Sequence, residues 1–220
     1  MCGSIAPVSY VDLLDIGERR NKTLLRSYCF QCGCQRCLTE MDLDSPFATL
    51  CASVEGSLAA SVSEAVEKGA RSLEKMEDLR RKGDYEAMLS ECESSLHSRG
   101  AACILHDFHH VTVHTLRQLV YAAIAIGDWP KAIEASRKLT EPLRRYLTEF
   151  HPVLAVHFLR LGKLLRVSGS TTQLAQSVHE LTQAVRQLRV THGAGHPTTL
   201  QALEMLQDSQ CELSRRHNNT

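Results

Sequence analysis

One turn pattern, used twice, restricts this chain more than any other feature. Gly83-Asp84-Tyr85-Glu86-Ala87 is echoed by Gly127-Asp128-Trp129-Pro130-Lys131-Ala132. Glycine supplies a helix exit, aspartate caps the next helix, and a small alanine lets the two helices approach closely. A second echo follows, because His151-Pro152 returns as His196-Pro197. A chain punctuated in this way is expected to fold as stacked helix pairs of the tetratricopeptide-like kind. The period is longer than the usual repeat of about 34 residues, so the helices are expected to be longer. Stacked pairs leave a concave groove, whereas a plain helical bundle would not.

The apolar spacing agrees with this reading. Val62, Val66, Leu73, Met76 and Leu79 recur at helical period within residues 54–82. Further helices are predicted over about 85–96, 107–126, 131–148, 153–168, 172–191 and 197–216, with Pro130 suited to a first helical turn. Before them, residues 15–28 suit a short helix with Asp15 as N-cap. Val8-Ser9-Tyr10-Val11 is a β-prone run with nothing preceding it to pair with. Asp42, Asp44, Ser45 and Pro46 mark a turn or linker, and no convincing strand follows them. The fold class expected is therefore mainly α.

Bulk numbers set outer bounds. A length of 220 residues with 43% hydrophobic content suits one to two small domains. Lys and Arg total 25, equal to Asp and Glu, so no net field draws the chain to nucleic acid or membrane. No run approaches the ~18 apolar residues of a membrane span. Met1 to Val8 lacks the basic start and apolar stretch of a signal peptide, and Gly3 is misplaced for myristoylation. An intracellular setting is expected. Nine cysteines there would be thiols or metal ligands rather than disulfides.

Four of them, Cys29, Cys32, Cys34 and Cys37, crowd into nine residues. The C-x-C-x2-C run can converge three thiolates on one tetrahedral zinc ion at Zn–S distances near ~2.3 Å, and Gly33 permits the tight turn between two ligands. The bacterial iron–sulfur spacing differs. A chance cluster of free thiols is the alternative, but packing gives no reason to concentrate cysteine on a polar turn. The fourth ligand stays open. Cys29 lies close enough, though between Tyr28 and Phe30, and Cys2 reaches in only if the N-terminus folds back. Cys2, Cys51, Cys92, Cys103 and Cys211 are scattered and read as small apolar side chains.

Other groupings are weaker. His106, His109, His110 and His114 share helical spacing but lack the glutamate of a metalloprotease helix, so a polar helix face is expected. Arg80-Arg81-Lys82 and Arg215-Arg216 read as solvated helix ends. Arg144 and Arg145 are candidates to line the groove and meet an acidic partner. On spacing alone, Tyr10 and Tyr28 read as core aromatics.

Taken together, Ser9-Tyr10-Val11-Asp12-Leu13-Leu14, then Glu18-Arg19-Arg20, then Leu25 through Cys37 resemble the SET-to-post-SET junction of the SET-and-MYND protein lysine methyltransferases. His151-Pro152-Val153, Leu161-Gly162-Lys163-Leu164 and Arg189-Val190-Thr191-His192-Gly193 are similar to that family's helical domain. The resemblance implies residues 1–14 as the end of a SET core, 15–40 as the post-SET zinc segment and 41–220 as the helical domain. It implies an active-site role beside cofactor and target amine for Tyr10, a lysine-channel wall at Tyr28, and stacking on the adenine of S-adenosylmethionine by Phe30. It assigns zinc to Cys32, Cys34 and Cys37, with a fourth ligand from an Asn-His-Ser-Cys motif. The implied partners are a lysine-bearing protein or peptide substrate and a chaperone tail in the helical groove, in the cytoplasm or nucleus.

Methyl transfer to lysine is an in-line displacement by a neutral amine on a sulfonium. It needs alignment and the exclusion of water, and aromatic walls favour the cationic groups. These 220 residues contain neither the Asn-His-Ser-Cys run, nor the family's glycine-rich cofactor loop, nor its MYND zinc module. The expectation is a truncated family member that is inactive by itself. The alternative expectation is a non-catalytic helical module that binds peptides or chaperones.

Overall fold

A computed structural model describes residues 10–34, 37–38, 58–97, 105, 107–167 and 169–218. Eight helices organise the described residues: α1 (Gly17–Tyr28), α2 (Leu58–Lys82), α3 (Tyr85–His97), α4 (His110–Ile126), α5 (Trp129–Tyr146), α6 (Pro152–Val167), α7 (Thr171–Thr191) and α8 (Pro197–Asn218). Mainly α is the class observed, and each predicted helix is present. Tyr10 and Val11 are not in a strand, while Val8, Ser9 and the linker at Asp42 to Pro46 lie outside the described residues.

The chain divides into two compact units. The first is drawn from Met1–Ala70 and Arg99–His114, the second from Arg71–Ser98 and Thr115–Thr220. In the second, packing follows chain order: α5 on α6, α6 on α7, and α7 on α8. Neighbour-to-neighbour packing of this kind is the mark of a helical repeat. Its core is aliphatic with one large aromatic, and includes Leu139, Leu143, Phe158, Leu165, Leu181 and Leu188.

Both copies of the opening pattern build the same turn. Gly83 and Gly127 take left-handed φ of 75° and 80°, which glycine adopts without a Cβ penalty. The amide of Asp84 donates to Leu79 O at 3.0 Å and that of Asp128 to Ala123 O at 2.9 Å. Each aspartate then caps the next helix, Oδ1 accepting at 3.1 Å from the amide of Ala87 or of Lys131.

The His-Pro echo proves to be a cap as well. His151 Nδ1 accepts from the amide of Val153 at 3.2 Å, and His196 Nδ1 from that of Thr198 at 3.2 Å. The two prolines open α6 and α8, where a missing N–H does no harm.

Close approach is built in where α6 meets α7. A Cβ on Gly162 would lie 2.7 Å from Leu181 Cγ, and Ser177 Oγ donates to Gly162 O at 2.8 Å. Gly162→Ala is expected to destabilise this unit by about 1–3 kcal/mol through overpacking. Urea unfolding of the variant against the parent checks this.

Candidate metal centre and aromatic cluster

Helix α1 presents a buried stripe of Gly17, Arg20, Asn21 and Leu24. The helix ends at Cys29, whose φ of 58° and ψ of 27° are left-handed. That conformation ends the helix just ahead of the thiol loop. Asp15 is not the cap of α1. Ile16 holds that position, without a side-chain cap bond. The Asp15 carboxylate instead lies 3.3 Å from His114 Nε2 and 4.0 Å from Arg19. Burial pushes its carboxyl up, but the His114 ring, Arg19 and His110 pull harder and leave it below the usual value.

The Sγ atoms of Cys32, Cys34 and Cys37 all lie within 4.8 Å of one another. A tetrahedral zinc would hold its sulfurs about 3.8 Å apart, so a small contraction closes the set. The loop is tied at both ends. Asn21 Oδ1 accepts from the amide of Cys32 at 2.9 Å, and Leu38 donates from its amide to Cys34 O at 3.0 Å. Cys37 is buried, Cys32 half-buried and Cys34 exposed.

Burial pushes the Cys37 thiol up, Arg20 opposes this, and Cys34 and Cys32 add to the rise. Coordination would reverse that tendency, since a divalent ion deprotonates the thiols it binds. An all-sulfur donor set fits zinc. Among the described residues no fourth histidine, cysteine or carboxylate joins the group. Cys29 stands outside it, exposed at the helix end, and Cys2 lies outside the described residues.

The three aromatics singled out from the sequence come together. Tyr10 lies 5.0 Å from Tyr28 and 6.1 Å from Phe30 between ring centroids, the second pair edge-on. They are not core aromatics: all three are exposed, from 42% at Phe30 to 54% at Tyr10. Sequence reasoning missed Arg20 and Asn21, which address the thiol loop directly. Their signal was available, because both fall at helical spacing with Gly17 and Leu24.

The histidine run is not a solvated face. His109 is buried and caps α4, its Nδ1 accepting from the amide of Val111 at 3.3 Å. Burial lowers His110 to about 3, and His106 lies outside the described residues. Of the scattered cysteines, Cys92 is buried with its thiol pushed up to about 12 by burial. Cys211 is exposed, and Cys51 and Cys103 lie outside the described residues. No described helix is long and apolar enough to cross a membrane.

No protein-family profile matches the chain. Histone-lysine N-methyltransferase SMYD3 from Homo sapiens is 26% identical over 211 residues, covering 96% of this chain and 45% of its own length. N-lysine methyltransferase SMYD2 from Sus scrofa is 28% identical over 192 residues, covering 86% of this chain and 42% of its own length. The same protein from Gallus gallus is 27% identical over 203 residues, covering 91% of this chain and 44% of its own length. The chain thus spans less than half the length of the curated relatives it matches. Along nearly all of its own length, this chain is similar in sequence to the SMYD lysine methyltransferases.

Proposed function

We propose that this chain is the post-SET and helical part of a protein-lysine N-methyltransferase, organised by one structural zinc ion. In this reading residues 1–14 end the SET core, 15–40 form the zinc segment and 41–220 the helical domain. The observation that carries it is the pairing of a convergent thiol triad with three clustered aromatics on either side of Cys29. Cys32, Cys34 and Cys37 hold the ion. Tyr10 orients the target amine through its hydroxyl. Tyr28 walls the lysine channel, and Phe30 offers its face to the adenine of S-adenosylmethionine. That cofactor, when bound, supplies the methyl group on a sulfonium; aromatic faces favour such a cation.

The substrate class is a lysine-bearing protein or peptide, histones included. The helical unit serves to dock protein segments, a chaperone tail among them, in the nucleus or cytoplasm. These 220 residues alone do not transfer methyl groups, since they lack the family's glycine-rich loop and Asn-His-Ser-Cys run.

Two measurements on purified, reduced protein test this. Elemental analysis is expected to find one zinc per chain, and calorimetric titration with S-adenosylmethionine to give no binding heat. Absence of zinc sinks the metal centre. Methyl transfer to a histone by this chain alone sinks the claim of inactivity.

A further inference from the structure

Two consecutive side chains of α1 reach the triad, one at the last thiol and the other at the backbone of the first cysteine. Arg20 is only 3% exposed. Its Nη1 donates to Asp15 O at 2.6 Å and its Nη2 to Cys37 Sγ at 3.4 Å. Asn21 is 8% exposed, and its Oδ1 accepts from the amide of Cys32 at 2.9 Å. Its Nδ2 is buried with no hydrogen-bond partner among the described residues.

A guanidinium buried against a neutral thiol makes only a weak bond there, because a thiol is a poor acceptor. A metal-bound thiolate is a far better acceptor. We infer that Arg20 and Asn21 are positioning residues of the metal centre, Arg20 fixing the Cys37 sulfur and Asn21 fixing the Cys32 backbone. The inference rests on the zinc reading above.

Zinc affinity of the full 220-residue chain, measured by competition with a chromophoric chelator, tests it. Arg20→Met and Asn21→Ala are each expected to weaken zinc about 10- to 100-fold, the usual effect of losing a ligand's supporting bond. Arg20→Lys keeps the charge but cannot serve Asp15 O and Cys37 Sγ together, and is expected to weaken zinc about 10-fold. It carries the test if Arg20→Met does not fold. Cobalt substitution adds a second readout, since the sulfur-to-cobalt charge-transfer band should change in the Arg20 variants while far-ultraviolet helix signal holds. Folded Arg20 variants that bind zinc within twofold of the parent, with an unchanged cobalt band, overturn the inference alone. A parent chain that binds no zinc overturns the metal reading and this inference together.

Discussion

Phe158→Ala should destabilise the second compact unit by about 3–5 kcal/mol, the range for deleting a buried aromatic from a packed core. Phe158 sits on α6 with 1% of its surface exposed, and the Arg144 guanidinium carbon lies 5.4 Å from the ring centroid. The ring therefore fills the interior and carries a cation on one face. Alanine leaves a cavity that the flanking helices can only partly close, and Arg144 loses its platform. Phe158→Leu keeps most of the volume and should cost under about 1.5 kcal/mol. Urea midpoints followed by circular dichroism distinguish the two. A loss below about 1 kcal/mol for the alanine variant would mean that α6 repacks freely.

Acidification from pH 7 to pH 5 should remove about 2 kcal/mol from each unit. His157 is buried and held down to about 4, first by burial and then by Arg160 and Arg144. His110 is lowered to about 3 by burial, with His109, His114 and Arg19 adding and only Asp15 opposing. Both histidines are neutral in the native state. An unfolded histidine titrates near ~6.5, so below that pH the unfolded chain binds protons that the folded chain refuses.

Stability therefore falls as pH drops through this window, by about 1.4 kcal/mol per pH unit for each ring. The Asp15 carboxyl, lowered instead, contributes stability lost only at more acidic pH. Thr140 Oγ1 donates to Ser136 O at 3.2 Å and lies 2.9 Å from His157 Nε2. His157→Leu should flatten the pH dependence of the second unit between pH 6 and 5. An unchanged slope in that variant would remove His157 as its cause.

Much of the helical unit was legible in the sequence because its determinants are local. Gly83, Asp84, Gly127 and Asp128 set their turns through bonds to residues a few positions away. The apolar spacing of Met76 and Leu79 marked α2 for the same reason. The thiol triad was legible too, since its three cysteines fall within six residues.

Legibility failed where a residue's partner is distant in sequence. Asp15 resembled an N-cap, yet His114, far along the chain, claims its carboxylate. Arg20 stands out in the sequence only within the Glu18-Arg19-Arg20 run, and its bond to Cys37 Sγ joins residues 17 positions apart. The His-Pro repeat was visible, but the ring nitrogen as helix cap was not, because histidine is an uncommon cap and the backbone geometry decides it.

The two glycine-aspartate turns carry a consequence for how the chain gets folded. The bonds of the first turn run between Leu79 and Met88, and those of the second between Ala123 and Ala132. Such closures involve little loop entropy and form on the timescale of local collapse, before distant segments meet. Each corner can therefore seed its own hairpin independently, and assembly of the stack becomes a matter of zipping together pieces already bent to shape.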